Sequence, residues 1–184
     1  DRRPRELTRD QREALEDLAA WAERELVAST EMQQASRVQA SLLPSRPIRV
    51  GVWDVDGLCL PAMAVGGDFY DYEVIGGVLH VSLGDVMGKG TGAALIGAAT
   101  RTALRGTAQA VSAGVDLGIT ITQVARSMLD DLERAESFVT LIDLAVDLET
   151  GTVRFVDAGS GLLLLVRADG PPVRLSGRGR PRGG

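Results

Sequence analysis

The sequence predicts an α+β domain preceded by a long helical arm. Residues 8–42 carry an uninterrupted helical pattern, and residues 49–85 change to the alternation that is typical of strands. Two helical segments follow at about 90–110 and 115–134, after which strand patterns return. Strands, then a pair of helices, then further strands indicate a layered α+β domain. A chain of 184 residues is long enough for one such domain with its own core plus the arm.

The composition is that of a globular protein, with 45% hydrophobic and 24% charged residues. Its apolar runs are shorter than the roughly 18 residues that span a bilayer, and its polar start differs from a signal peptide, so we expect a cytoplasmic protein with no membrane partner. Because Cys59 and His80 are the only residues of their types, we expect no disulfide framework, zinc site or Ser–His triad. Residues 1–166 contain 15 basic and 24 acidic residues, a net charge of −9, which argues against nucleic-acid binding.

The arm is predicted as one helix over residues 8–42. Thr8 and Gln11 have the spacing of a capping box, and neither Pro nor Gly follows until Pro44. Four apolar residues of this segment form one stripe: Leu15, Leu18, Ala22 and Leu26. A helix cannot bury such a stripe by itself, so the arm either packs on its own domain or pairs with a second copy of the chain. We favour a dimerising or signal-carrying arm over residues 1–43.

Two hairpins are predicted between the arm and the helical pair. The first joins Arg49–Asp54 to Leu58–Ala64 through a turn at Asp56-Gly57. The second joins Asp68–Ile75 to Val78–Asp85 through Gly76-Gly77, a two-residue loop of the kind that closes tight hairpins. After the helices, the sequence predicts the following strands: Phe138–Leu148, Thr152–Ala158, Leu162–Arg167 and Val173–Leu175.

The Gly76-Gly77 loop also fixes the register of the second hairpin. If Ile75 faces Val78, counting outward places Asp68 opposite Asp85, with their Cβ atoms about 5 Å apart. Facing carboxylates repel each other unless a proton or a divalent cation compensates. The oxygen ligands favour Mg²⁺ or Mn²⁺ over zinc. The alternative is that each Asp simply ends a strand beside a glycine.

Side-chain alternation assigns faces to the same hairpin. Asp68 shares its face with Tyr70 and Tyr72, an apolar set that we expect to turn toward the core, with the two acids at its rim. On the opposite face, His80 pairs with Glu73, and we expect it to be a surface partner of that carboxylate. The glycine-rich stretch 84–91 lacks the Walker A spacing, which excludes a phosphate-binding loop of the NTPase type.

Several stretches together resemble the SpoIIE/RsbU type of PPM metal-dependent serine/threonine phosphatases. The stretches that carry this resemblance are AVGGDFYD (64–71), LGDVMGKGTGAAL (83–95), SFVTLIDLAVDLETG (137–151) and DAGSG (157–161). ASLLP (40–44) resembles the segment that precedes that domain, and residues 5–29 resemble the last helix of a GAF-type sensor domain that runs into a linker. The resemblance predicts a phosphatase domain over 44–177 after the arm, and the basic, Gly- and Pro-containing composition of residues 178–184 predicts a disordered tail.

The resemblance implies an α-β-β-α sandwich that hydrolyses phosphoserine or phosphothreonine with a metal-activated water. Two Mn²⁺ or Mg²⁺ ions are implied as cofactors, and a phosphorylated anti-sigma-factor antagonist is implied as the substrate. Carried over by position, the metal ligands are Asp68, Asp85 and the backbone carbonyl of Val86. Lys89 is implied to begin a helix near the site.

The sequence departs from the family's pattern in its C-terminal part. The family has further acids in an Asp-Gly motif on a late strand and in a last acidic turn, and the chain reaches Gly184 before both. Asp169-Gly170 falls in a predicted hairpin turn, and Ser160 stands where the family has His. We therefore expect a phosphatase fold that is incomplete at the C-terminus. The alternative interpretation is a catalytically incomplete, phosphatase-like module for binding or dimerisation.

Overall fold

The computed structural model describes residues 7–175, which form three helices and eight strands. The helices are α1 (Arg9–Leu42), α2 (Gly90–Ser112) and α3 (Leu117–Arg134). The strands are β1 (Ile48–Val50), β2 (Trp53–Val55), β3 (Phe69–Ile75), β4 (Val78–Val86), β5 (Val139–Asp147), β6 (Val153–Ala158), β7 (Leu164–Leu165) and β8 (Val173–Arg174). The α+β prediction is confirmed, and the predicted basic tail lies outside the described residues. None of the helices within residues 7–175 is long and apolar enough to cross a bilayer.

Helix α1 begins with the predicted capping box and ends just before Pro44. The Thr8 hydroxyl accepts a hydrogen bond from the backbone N–H of Gln11, and the Gln11 side chain accepts one from the N–H of Thr8. At 34 residues the helix is roughly 50 Å long, and none of its residues is buried. Leu18 and Leu26 of the predicted stripe are 57% and 69% exposed, so the stripe is not packed on the domain.

The centre of the fold is a four-stranded antiparallel sheet in the order β3-β4-β5-β6. The β3–β4 hairpin has the predicted register, from Ile75 opposite Val78 to Phe69 opposite Gly84. Both loop glycines have positive φ values, 57° at Gly76 and 79° at Gly77, as a tight turn of the primed type requires.

Helices α2 and α3 cover one face of this sheet and form the core with it. Core residues of the sheet include Phe69, Val78 and Val86, which pack with residues of α2 and α3 such as Leu104 and Met128. The helices therefore cover the face of Phe69 rather than that of Asp68, and our expectation for the faces was wrong in this respect. Both faces of the hairpin carry apolar residues, so alternation alone could not show which one the helices would cover.

His80 also lies on the helix-covered face, which corrects its predicted surface role. It is 7% exposed, and its Nε2 lies 2.8 Å from the Ser112 hydroxyl at the end of α2. On the other face, Tyr70 and Tyr72 donate hydrogen bonds to the backbone oxygens of Pro44 and Arg46, just after α1. That face is therefore partly covered by the segment that connects the arm to the sheet.

The first predicted hairpin is wrong, because β1 and β2 pair with each other instead. Their turn falls at Gly51, whose φ of 59° suits a tight reversal, and at Val52. Residues 58–64 form no strand, and Leu58 and Leu60 are each 79% exposed. The last two predicted strands are present as the short pair β7 and β8.

Candidate metal centre

The β3–β4 hairpin brings Asp68 and Asp85 to the same cleft. Asp68 immediately precedes β3 and Asp85 is the penultimate residue of β4, so the register of the paired strands continues toward them. The cleft has a volume of about 330 Å³. Six other residues line it: Leu83, Gly84, Thr140, Gly159, Ser160 and Leu162. The structure thus places together the two acids that the register argument paired.

The two carboxyl groups influence each other electrostatically. Partial burial raises the pKa of Asp68, and the charge of Asp85 and a hydrogen bond between the two carboxyls raise it further. Ionisation of both carboxylates is therefore unfavourable because they repel each other, unless a proton or a cation lies between them. A hard divalent cation is the partner that such oxygen ligands select.

A third oxygen, the backbone carbonyl of Val86, faces Gly67, the residue before Asp68. A Cβ atom on Gly67 would lie 2.5 Å from this oxygen and 3.1 Å from the Val86 Cβ. Glycine is therefore required at residue 67, because any side chain would fill the space against the carbonyl. This carbonyl oxygen therefore lies beside the residue that precedes Asp68, and carbonyl and carboxylate oxygens are the ligand types that Mn²⁺ and Mg²⁺ prefer.

Among the described residues, no third His, Cys, Asp or Glu side chain joins this carboxylate pair in a metal-binding cluster. Within residues 7–175, no group of three or more His, Cys, Asp or Glu side chains is arranged to hold a metal ion. The thiol of Cys59 lies 3.9 Å from the backbone oxygen of Asp68, and burial, followed by the charge of Asp68, raises its pKa. Sulfur is a soft ligand that Mg²⁺ and Mn²⁺ disfavour, so we do not count Cys59 among the candidate ligands.

Two hydroxyl residues of the cleft were not predicted as site residues. Thr140 on β5 lies directly opposite Asp85, and Ser160 lies in the loop after β6. The Asp157 carboxylate holds this loop by accepting hydrogen bonds from the backbone N–H groups of Ser160 and Gly161, both at 3.0 Å. The motif DAGSG could have indicated Ser160. Thr140 could not be identified, because it reaches the cleft through the pairing of β4 with β5, which the sequence did not specify.

A separate polar cluster lies under α2 on the other face of the sheet. Asp71 Oδ2 lies 2.7 Å from Arg105 Nε and 3.2 Å from Arg101 Nη2, although neither guanidinium is aligned for a good hydrogen bond. Nearby, Ser82 donates a hydrogen bond to Asp143. Burial raises the pKa of Asp143 to about 6, although the Ser82 hydrogen bond opposes the shift. The ion pairs of Asp71 fasten α2 to the sheet, whereas the Ser82–Asp143 hydrogen bond joins β4 to β5.

Three comparisons relate the chain to known proteins. The model of the family described as Stage II sporulation protein E (SpoIIE) matches residues 75–183, a range that includes Asp85 and Val86 but begins after Asp68. Protein IcfG of Synechocystis sp. is 32% identical over 92 residues, which are 50% of this chain and 14% of IcfG.

Among solved structures, the RsbU and RsbW domains of Rv1364c from Mycobacterium tuberculosis match with a TM-score of 0.53 and 30% identity, over 62% of this chain and 31% of that one. The SiaA-PP2C domain of Pseudomonas aeruginosa matches with a TM-score of 0.55 and 21% identity, over 73% of this chain and 54% of that one. The second likeness is evidence for the fold alone. The chain spans between 14% and 54% of the length of these relatives.

Proposed function

The chain belongs to the SpoIIE family, and from this premise we propose that it is a metal-dependent phosphatase that acts on phosphoserine or phosphothreonine of a regulatory protein. The family match confirms the resemblance drawn from the sequence, and the likeness to a PP2C domain confirms the PPM-type fold, of which residues 7–175 form a part. The observation that carries the proposal is the meeting of Asp68 and Asp85 in one cleft.

In this proposal, Asp68, Asp85 and the Val86 carbonyl hold Mn²⁺ or Mg²⁺. The chemistry that such an ion would supply is activation of a water molecule and neutralisation of charge on the phosphoryl group. The chain's own residues contribute the negative charge that retains the cation and a hairpin that sets the spacing of the two carboxylates. Ser160 and Leu162 line the cleft, and its volume of about 330 Å³ leaves room for a phosphorylated side chain.

The substrate and the oligomeric state belong to the same proposal. The SpoIIE/RsbU-type resemblance supports a phosphorylated anti-sigma-factor antagonist as the substrate. The exposed leucines of α1 support a homodimer formed through the arm over residues 1–43, with the phosphatase domain over 44–177. Each copy then contributes one helix to the dimer and presents its own cleft.

A second candidate function is a phosphatase-like binding or dimerisation module. Two features favour it. The arm carries an exposed apolar stripe, and among residues 7–175 no third ligating side chain joins the two carboxylates of the cleft. Such a module would retain the partner surface of the fold and bind a phosphoprotein without hydrolysing it.

Calorimetric titration of Mn²⁺ into the chain and its Asp85→Asn variant tests the proposal, together with release of phosphate from a phosphoserine peptide. We expect saturable Mn²⁺ binding and Mn²⁺-dependent hydrolysis, both lost in Asp85→Asn. Binding without hydrolysis would favour the second candidate. Mn²⁺ binding that Asp85→Asn leaves unchanged would refute the proposed centre.

A further inference from the structure

The loop after β6 contributes part of the lining of the cleft that contains Asp68 and Asp85. Ser160 and Leu162 of this loop line the cleft together with the two acids. The hydrogen bond that Ser160 makes within residues 7–175 comes from its backbone N–H, which donates to the Asp157 carboxylate at 3.0 Å. The hydroxyl of Ser160 is therefore available to a molecule that enters the cleft.

Contacts on both sides of Ser160 fix the backbone that carries this hydroxyl. The Asp157 carboxylate also accepts a hydrogen bond from the N–H of Gly161, at 3.0 Å. Gly159 forms an isolated β-bridge with a residue of β5. The guanidinium of Arg174, on β8, lies against Gly161, where an added Cβ would be 3.3 Å from the Arg174 Cζ. The position of Ser160 is therefore set by contacts with β5, β6 and β8.

The charges around the cleft favour an uncharged donor for the recognition of a phosphoryl group. The carboxylates of Asp68 and Asp85 repel a phosphoryl anion unless a bound cation compensates their charge. A serine hydroxyl can donate a hydrogen bond to a phosphoryl oxygen without adding negative charge. Arg174 adds a positive charge beside the loop, and the ion pairs found within residues 7–175 do not include it. The side of the cleft that carries Ser160 is therefore suited to bind an anion.

The cleft contains a second hydroxyl residue, Thr140, whose surroundings differ. Thr140 lies directly opposite Asp85 in the pairing of β4 with β5, so its side chain is next to a carboxylate of the protein itself. Ser160 lies outside the sheet, in a loop whose one carboxylate, Asp157, is occupied by backbone N–H groups. Of the two hydroxyls, that of Ser160 is therefore the better placed to serve a substrate.

We propose that Ser160 is a substrate-binding residue, whose hydroxyl donates a hydrogen bond to an oxygen of the phosphoryl group in the cleft. This inference rests on the proposed function, because the phosphoryl group is that of the phosphoserine or phosphothreonine named there. It assigns recognition of the phosphoryl group to the loop after β6, apart from the metal ligands. A hydrogen bond to a charged group typically changes affinity by about 10- to 100-fold when it is removed.

The test compares Ser160→Ala and Ser160→Thr with Ser45→Ala, the same loss of a hydroxyl at an exposed residue before β1. Three properties of the 184-residue chain are measured: the dissociation constant of inorganic phosphate in the presence of Mg²⁺, the KM and kcat for a phosphoserine peptide, and the Mn²⁺ dissociation constant. For Ser160→Ala we expect phosphate affinity to fall about tenfold and KM to rise by the same factor. We expect kcat and Mn²⁺ affinity to change by less than about twofold, because the lost contact binds the substrate without holding the metal. Ser160→Thr keeps a hydroxyl and should retain most of the phosphate affinity.

The possible outcomes separate this inference from the proposed function. Phosphate affinity and KM in Ser160→Ala that equal those of Ser45→Ala would overturn the role of Ser160 and leave the phosphatase function standing. If the unaltered chain binds inorganic phosphate but hydrolyses no peptide, the proposed function fails, and weaker phosphate binding by Ser160→Ala still supports the inference. An unaltered chain that binds Mn²⁺ but no phosphate would overturn the inference. Ser160→Thr that binds phosphate as weakly as Ser160→Ala would also contradict it.

Discussion

Ser82 on β4 lies directly opposite Asp143 on β5 and donates a hydrogen bond to it beneath α2. Both residues are 7% exposed, so the carboxyl group of Asp143 has little solvent around it. The contact shows that the helix-covered face of the sheet contains polar groups that are satisfied within the protein.

The first prediction concerns the pH dependence of stability that Asp143 confers. Its pKa is raised from 3.8 to about 6 in the folded protein, so the folded state binds a proton more tightly than the unfolded state does. The free energy of unfolding should therefore increase as the pH falls from about 7 toward 4, by up to about 3 kcal/mol from this group. Chemical denaturation at several pH values measures this change in the free energy of unfolding.

Asp143→Asn provides the comparison for this prediction, because asparagine can still accept the hydrogen bond from Ser82. We expect the variant to be more stable than the unaltered chain at pH 7 and to lose this part of the pH dependence. Identical pH profiles for the two proteins would show that Asp143 is not responsible.

The second prediction concerns repulsion between Asp68 and Asp85. Asp68→Asn removes one of two adjacent negative charges, so the chain should unfold at a slightly higher temperature in the presence of a chelator. The same variant should lose the stabilisation that Mn²⁺ gives to the unaltered chain, since ligand binding to the folded state raises stability. Thermal unfolding with and without Mn²⁺ measures both effects. Asp130→Asn, an exposed change on α3, is the control and should show neither effect.

The third prediction concerns the close approach of Gly67 to the Val86 carbonyl. Gly67→Ala places a Cβ 2.5 Å from backbone, which cannot move as a flexible side chain can, so we expect destabilisation of at least about 2 kcal/mol. In Gly92→Ala, by contrast, the added Cβ meets no heavy atom within 4 Å, and a helical site should gain up to about 1 kcal/mol. Urea denaturation measures both. The same change in stability at both sites, or no loss of stability in Gly67→Ala, would contradict the packing described here.

The fourth prediction concerns the exposed stripe of α1. If the arm forms a dimer, Leu18→Glu should place charge in the interface and convert the dimer to a monomer. Arg24→Glu, on the opposite side of the helix, changes charge without touching the stripe and should leave the dimer intact. Sedimentation equilibrium distinguishes the two states. An unaltered chain that is monomeric at every concentration would contradict the dimer.

The sequence predicted local features best. The capping box at Thr8, the Gly76-Gly77 loop and the register that pairs Asp68 with Asp85 all depend on a few neighbouring residues, and the structure bears out the loop and the cap. The faces of the sheet were predicted wrongly because that choice depends on which side α2 covers, and Arg101 and Arg105 of α2 provide partners for buried acids that alternation cannot reveal. The hydrogen bonds between the Gln39 side chain at the end of α1 and the backbone of Gly66 were missed for the same reason, because the two residues are 27 positions apart in the sequence.

The two-residue loop at Gly76-Gly77 also determines which side chains of β4 lie on each face of the sheet. Because side chains alternate with a period of two, shifting β4 by a single residue against β3 would exchange the contents of the two faces. His80 and Ser82 would leave the space under α2, and Asp85 would be carried into it, away from Asp68. An insertion of one residue in this loop should therefore disrupt both the core and the carboxylate pair. An insertion that shifts the register by two residues would instead keep each side chain on its own face but separate Asp68 from Asp85.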